Sequence, residues 1–248
     1  MMARSADAPR DVFGKHRDMT VSVLTATAIT KTFGGTPALA GVDFAVAFGE
    51  SVAIMGASGS GKTTLLHCLA GIVTPDTGTV AFETTRGRVQ VNALSETERS
   101  RLRREAFGFV FQQGLLIPEL TAIENVALPL MLSGATRHAA EQDAATWLAA
   151  LGLTGMEERR IGQLSGGQAQ RVAIARAQVT GASVVFADEP TGALDSHTSN
   201  EVMDALIGST TGQGRTLVVV THDEDVAARC SRVVLLRDGR IVSEAVTA

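Results

Sequence analysis

Apolar residues along this chain cluster into short runs separated by polar stretches. Residues 51–55, 107–111, 183–187 and 216–221 are continuously apolar or nearly so. Runs of four to eight such residues predict strands buried on both faces, as in a parallel sheet. Residues 21–30 and 42–46 instead alternate and are rich in β-branched side chains, which predicts two further strands around a loop at residues 31–37. Residues 75–91 mix turn residues with short β-like runs such as Thr79-Val80-Ala81-Phe82. Residues 233–236 and 240–242 flank Asp238-Gly239 and predict a hairpin with a two-residue turn. Helical patterns cover 63–70, 94–104, 120–155 and 169–177, and another helix ends near Gly208, with Ser196 or Thr198 as its expected cap. Within 120–155, Ala140, Ala144, Trp147, Leu148 and Leu151 fall on one face. That spacing predicts a small helical subdomain with Trp147 in its core. Strands alternating with helices place the chain in the α/β class.

Composition narrows the function. The 248 residues suffice for one large α/β domain with a small subdomain, and 45% hydrophobic content supports a full core. Residues 1–20 are polar, mixed in charge and without periodicity, so a disordered tail is expected there. Met19 competes with Met1 and Met2 as the start of translation, and residues 21–248 read as a single domain. The chain ends soon after the hairpin, so no C-terminal regulatory domain is expected. A net charge of −4 argues against a nucleic-acid binder that works through a basic surface. Cys68 and Cys230 match no metal spacing and, with no secretory signal, point to a reducing compartment. No run of 18 or more apolar residues exists, so action at a membrane would go through a partner.

The chemistry centres on Gly56-Ala57-Ser58-Gly59-Ser60-Gly61-Lys62-Thr63, followed by Thr64. The stretch fits G-x-x-x-x-G-K-[ST], a phosphate-binding loop, and it sits between a predicted strand and a predicted helix, as that motif requires. By accident the pattern arises in about 1% of chains this long. Gly56, Gly59 and Gly61 let backbone N–H groups turn inward on a triphosphate. The next helix offers unpaired N–H groups at its N-terminus. Lys62 adds a positive charge for the β and γ phosphates, and the Thr63 hydroxyl can ligate Mg²⁺.

Other candidates read two ways from the residues alone. Phe33 is a local packing aromatic or a ring that stacks on a base. Gln112 follows the 107–111 strand and either enters the crevice at the sheet's edge or is a polar loop residue. Ser165-Gly166-Gly167 precedes a helix and is either ordinary capping or a second anion site. Asp188 and Glu189 end a buried strand, where carboxylates are costly unless a cation is bound. A Mg²⁺ held by Thr63 and Asp188 supplies that cation and leaves Glu189 to polarise a water. His222, after the 216–221 strand, is structural or part of the same edge. Arg99, Arg101, Arg103 and Arg104 lie among Glu96, Glu98 and Glu105 and read as a solvated helix face.

Taken together, these motifs resemble the nucleotide-binding subunit of ATP-binding cassette (ABC) transporters over about residues 21–242. The resemblance rests on Phe33, the phosphate loop, Gln112, the signature Leu164-Ser165-Gly166-Gly167-Gln168, Asp188-Glu189, Ala193-Leu194-Asp195 and His222, in family order. It implies a phosphate-loop NTPase (RecA-like) core, an N-terminal antiparallel β subdomain and a helical signature subdomain at about 113–178. ATP and Mg²⁺ are the implied cofactors, with Thr63, Gln112 and Asp188 near the metal, Glu189, His222 and Gln112 catalytic, and Asp195 in the D-loop. Stretches such as Glu124-Asn125-Val126-Ala127-Leu128-Pro129-Leu130 are similar to the bacterial branch containing MacB, LolD and FtsE. Two departures stand out: Ile161-Gly162 where relatives often carry a proline, and Gln178 where leucine is usual. Neither is expected to touch nucleotide chemistry, and both bear on how the helical subdomain packs.

The resemblance implies a head-to-tail pair of cassettes, each ATP lying between one phosphate loop and the other subunit's Ser165-Gly166-Gly167. It also implies a separate permease, contacted over residues 114–120 from Gly114 to Leu120, and a position on the cytoplasmic face of the membrane. Export or extrusion is the expected use, with an FtsE-like signalling ATPase as the alternative. A soluble ABC ATPase acting on DNA or ribosomes is disfavoured because no second cassette or long coiled-coil insertion is present. A GTPase is disfavoured because the guanine-reading Asn-Lys-x-Asp motif is absent.

Overall fold

The computed structural model describes residues 22–85 and 87–247, so the expected tail over residues 1–20 lies outside the described residues. The chain opens with an antiparallel hairpin, β1 (Ser22–Phe33) and β2 (Thr36–Ala47). β4 (Thr77–Thr84) and β5 (Gly87–Gln90) complete a four-stranded antiparallel sheet ordered β2-β1-β4-β5. The second sheet holds β3 (Ser51–Met55), β6 (Phe107–Phe111), β7 (Val184–Asp188), β8 (Thr216–Val220), β9 (Arg232–Arg237) and β10 (Arg240–Val246). Its order is β10-β9-β3-β8-β7-β6, parallel except for the edge strand β10.

The continuous apolar runs serve two cores at once. Val52, Ile54, Val184, Phe186, Val218 and Val220 point to a core shared with the antiparallel sheet and α1 (Lys62–Leu69). Ala53, Val185, Ala187, Leu217 and Val219 point to the opposite face. There they meet α4 (Arg137–Ala150), α5 (Gly166–Gln178) and α6 (Ser196–Ser209). Side chains alternate across a strand, so a strand covered on both faces must be apolar throughout.

Several boundaries differ from the sequence reading. The loop expected over 31–37 shrinks to Gly34-Gly35, both at positive φ (53° and 87°), and Phe33 pairs with Thr36 across it. Lys31 to Phe33 remain strand because Asp76 accepts hydrogen bonds from Lys31 Nζ (2.8 Å) and Thr32 N (2.7 Å), a contact from a distant segment. The helical stretch at 120–155 divides into α3 (Ala122–Leu132) and α4, with Thr136 capping the second. Ala140, Ala144 and Leu148 are fully buried and Trp147 packs partly buried against the same core. The cap of α6 is Asp195 rather than Ser196 or Thr198, because its carboxylate accepts from both His197 N and Thr198 N. The arginine-rich helix, α2 (Glu96–Ala106), has no buried residue, and Glu96 pairs with both Arg99 and Arg103.

Buried Arg232 joins the two sheets. It donates to Glu50 Oε1 (2.6 Å), Glu244 Oε2 (2.9 Å) and the Ala45 carbonyl, with its guanidinium over the Phe44 ring. Arg232→Ala removes the cation that Glu50, Glu244 and the Ala45 carbonyl share. It should cost about 3 kcal/mol, read as a lower urea midpoint with an unchanged slope.

Candidate functional site

The phosphate loop is shaped by the protein's own backbone. A Cβ on Gly56 would overlap the Leu236 carbonyl and come within 2.7 Å of Ser60 Oγ, and one on Gly61 would overlap the Ala38 carbonyl. Both glycines also sit at positive φ, 153° and 102°. Gly59 has open space around it. The Asp238-Gly239 turn between β9 and β10 buttresses the loop: Gly239 N donates to Ser60 O (3.0 Å), and Ala40 N donates to Gly239 O (2.9 Å). α1 then starts with no side-chain cap and no acidic residue in its first turn. Its first N–H groups are left for an anion. Lys62, largely buried, donates from Nζ to the carbonyls of Gly56 (2.8 Å) and Ala57 (2.9 Å). Ser60 Oγ is buried without a partner.

Two carboxylates close the site. Thr63 Oγ1 donates to Asp188 Oδ1 at 3.2 Å. Burial pushes the Asp188 carboxyl above its usual range, against the pull of the Thr63 hydrogen bond and the charges of His67 and Lys62. Glu189 adopts φ 47°, sparsely populated for a residue with a side chain, held by its N–H on the Val220 carbonyl (2.9 Å). Its Oε1 lies 2.9 Å from His222 Nδ1. A cavity of about 530 Å³ lies between these groups, lined by Ala38, Ser58, Gly59, Gly61, Lys62, Thr63, Thr64, Glu189 and His222.

Other expected site residues fall outside that lining. Ser165 caps α5, accepting from Gln168 N while Gln168 Oε1 accepts from Ser165 N, and Leu164 precedes it. Gly166 and Gly167 lie against Leu194 and Thr198, at the start of α6. Asp195 spends one carboxylate oxygen on backbone N–H groups and the other on the Thr198 hydroxyl. Phe33 is half exposed at the β1–β2 turn with Lys31 Nζ 5.4 Å from its ring centroid. The Gln112 amide lies beside Gly192, where a Cβ would be 2.9 Å from Nε2.

Residues 39–192 match the family model described as ABC transporter. The chain belongs to the ABC transporter family. This cassette is 46% identical to the macrolide export ATP-binding/permease protein MacB of Nitrosomonas europaea over 88% of its own length and 33% of that protein. It is 47% identical to the pyoverdine export ATP-binding/permease protein PvdT of Pseudomonas aeruginosa over 87% of its length and 33% of that protein. It thus spans about a third of the length of these relatives. Among solved structures it is similar to a dimeric ATP-binding cassette in a post-hydrolysis state bound to ADP and Pi. There the TM-score is 0.81 and the identity 38%, covering 91% of this chain and 99% of that one. Membership makes the cassette an ATP-binding, ATP-hydrolysing α/β unit. No helix among the described residues is long and apolar enough to cross a membrane.

The donor set fits Mg²⁺. Thr63 Oγ1 and Asp188 Oδ1 are hard oxygens turned to one point, and Asp188 carries a burial penalty that a cation would relieve. Among the described residues no cluster of three or more His, Cys, Asp or Glu exists to make an all-protein cage. That matches an ion shared between one carboxylate and substrate phosphates.

Sequence reasoning missed three contributors. Ala38 lines the cavity and bars any side chain at Gly61, yet it belongs to no motif and falls between the expected loop at 31–37 and the expected strand at 42–46. Gly239 reads as a hairpin turn only, and its bond to Ser60 joins segments 179 residues apart in sequence (239 − 60). His67 faces Asp188 electrostatically, and burial lowers its pKa. Its spacing of four from Thr63 on one helix was the available signal.

Lys62→Ala removes the only lysine of the cavity lining. Turnover should fall at least about 10²-fold with weakened nucleotide binding, measured by phosphate release and fluorescent-nucleotide titration. Turnover equal to wild type would reject Lys62 as part of the cradle.

Proposed function

We propose that this cassette powers export through a membrane permease by closing on ATP as a pair of subunits. One observation carries the reading. A single cavity holds the phosphate loop, Thr63, Glu189 and His222, yet the signature helix start at Ser165 stands outside it. That helix start has no acidic residue in its first turn, and its cap hydroxyl takes the Gln168 N–H rather than those of the two glycines before it, so it suits a phosphate brought by a second cassette. A dimeric neighbour bound to ADP and Pi supports the pairing.

In this reading the loop N–H groups, Ser58, Ser60 and Lys62 hold the β and γ phosphates, with Thr64 beside them. Mg²⁺, held by Thr63 and Asp188 with Gln112 at its edge, would neutralise phosphate charge. Glu189 takes the proton of the attacking water, and His222 holds the Glu189 carboxylate through the 2.9 Å contact. Phe33 stacks on the adenine, which its half exposure allows. Ser165, Gly166 and Gly167 complete the partner's γ-phosphate site, with Leu164 and Gln168 packing and capping that turn and Asp195 at the shared edge.

The membrane partner docks beside Gln112, over residues 114–120. Arg176 donates to the carbonyls of Gly114 and Leu115 (both 2.7 Å), and buried Asn125 holds Ile117 from both its N–H and C=O. Leu115 and Ile117 are left facing outward. Next to them lies a groove of about 410 Å³ whose lining includes Phe109, Phe111, Leu128, Pro129 and Leu132, suited to an apolar helix face of a permease. The match to export proteins favours extrusion, and that partner would keep the cassette on the cytoplasmic face of the membrane.

Glu189→Gln should retain ATP binding, lose at least about 10²-fold in turnover and accumulate an ATP-bound dimer in size-exclusion runs. A variant that stays monomeric in saturating ATP counts against the shared site. Phe33→Ala should raise the apparent KM for ATP several-fold, by roughly 1 kcal/mol of lost stacking. An unchanged KM returns Phe33 to packing. ATPase activity that rises on reconstitution with the cognate permease and its substrate supports transport, and a rise with permease but indifferent to any substrate favours a signalling role.

A further inference from the structure

The signature helix and the D-loop helix meet at both ends. At the start, Gly167 lies so close to Thr198 that a Cβ would overlap its Cγ2, and Gly166 lies against Leu194. At the other end, fully buried Gln178 donates from Nε2 to Ser209 Oγ (3.3 Å) and Thr210 Oγ1 (2.8 Å). α5 and α6 therefore run parallel. Gly167 to Gln178 is eleven residues and Thr198 to Ser209 is also eleven, by subtraction of their numbers. Eleven residues are about three turns, so the two contacts share one face of each helix and fall at matching heights, roughly 16 Å apart. The same Gln178 accepts from Arg215 Nη1 at 2.7 Å, and that guanidinium lies 5.5 Å over the Trp147 ring of α4. Gln178 is one of the two positions at which the sequence reading expects a departure from the family pattern, and no step of ATP hydrolysis uses it.

We propose that Gly167 and Gln178 pin α5 to α6 at both ends, so that Ser165 and Asp195 reach the second cassette as one rigid edge, with Gln178 as the positioning residue. Each of those two residues begins one helix of the pair. A shift of α5 along α6 would move Ser165 relative to Asp195 by the same amount, since a helix transmits axial displacement along its length. The buried amide resists that shift because sliding breaks its bonds to two hydroxyls, which otherwise hold only to the Leu206 carbonyl within their own helix, and to the Arg215 guanidinium, and leaves the amide itself buried and unpaired. The proposal rests on the two-cassette reading, in which Ser165 and Asp195 face the other subunit.

The test uses the full chain with Glu189→Gln as parent, because its ATP-bound dimer is the direct readout. Gln178→Leu should leave fluorescent-ATP binding to the monomer unchanged, since Gln178 does not line the cavity and its side chain bonds to Ser209, Thr210 and Arg215, none of which lines it. It should raise the ATP concentration for half-maximal dimerisation at least about tenfold, the weight of one strong buried hydrogen bond. Gln178→Glu keeps the acceptor for Arg215 but loses the donor to the Ser209 and Thr210 hydroxyls, which already give their protons to the Leu206 carbonyl, so dimerisation should recover only in part. Where Gln178→Leu does not fold, the near-isosteric Thr210→Val removes one acceptor and should give the same split at smaller size. Parent-like dimerisation in Gln178→Leu or, where that variant does not fold, in Thr210→Val overturns the proposal. So does an equal loss of monomer binding and dimerisation, which is what a purely structural role gives. A parent that itself stays monomeric overturns the two-cassette reading and removes the reason for the pin.

Discussion

Backbone hydrogen bonding across the parallel sheet sets one level at which Phe111, Asp188, Val220, Ile54 and Val234 stand side by side on five strands. The residues that leave this row toward the C-terminal edge are Gln112, Glu189, His222 and the phosphate loop. Slipping any one strand by a residue would turn its apolar side chains to the wrong core and carry its edge residue away from the others. The buried faces on both sides hold the register, and the register brings the chemistry together. A site assembled this way is precise because it hangs on strands buried on both faces.

A second constraint acts on the loop itself. Gly61 lies against the Ala38 carbonyl and Gly56 against that of Leu236, so the antiparallel hairpin and the β9–β10 turn press on the phosphate loop from two sides. The glycines are then needed by the protein before any nucleotide is considered. That explains how a curve lined with N–H groups is kept open: strand carbonyls, which cannot move without breaking their own ladders, shape it from outside. Arg232 ties the same two sheets at the far end of β9, so the loop is squeezed between bodies that are themselves fixed.

The same chain gathers the phosphate loop, Thr63, Glu189 and His222 around one cavity and leaves the helix start at Ser165 outside it. Ser165 is a well-formed cap, and its helix is locked against α6, yet neither lines the cavity. A capped helix start outside the cavity makes structural sense in an assembly where the second half of each site arrives from outside. The family relationship supports that view, since a similar cassette is a dimer with ADP and Pi.

The sequence by itself determined the strands that carry the site, the loop between β3 and α1, the cap at Ser165 and the carboxylates after β7. Each is a local matter: a continuous apolar run, a glycine spacing, a hydroxyl before a helix, a polar pair at a strand end. It misjudged the 31–37 segment and the cap of α6, where Asp76 from 45 residues away holds Lys31 in a strand and Asp195 outcompetes its neighbours. Only the tertiary structure decided that Ala38 and Gly239 shape the phosphate loop, that Glu189 meets His222, and that Gln178 joins three helices. Those pairings join residues with no common period or motif, because they arise where separate elements pack, and packing partners are not written in the local pattern of either one.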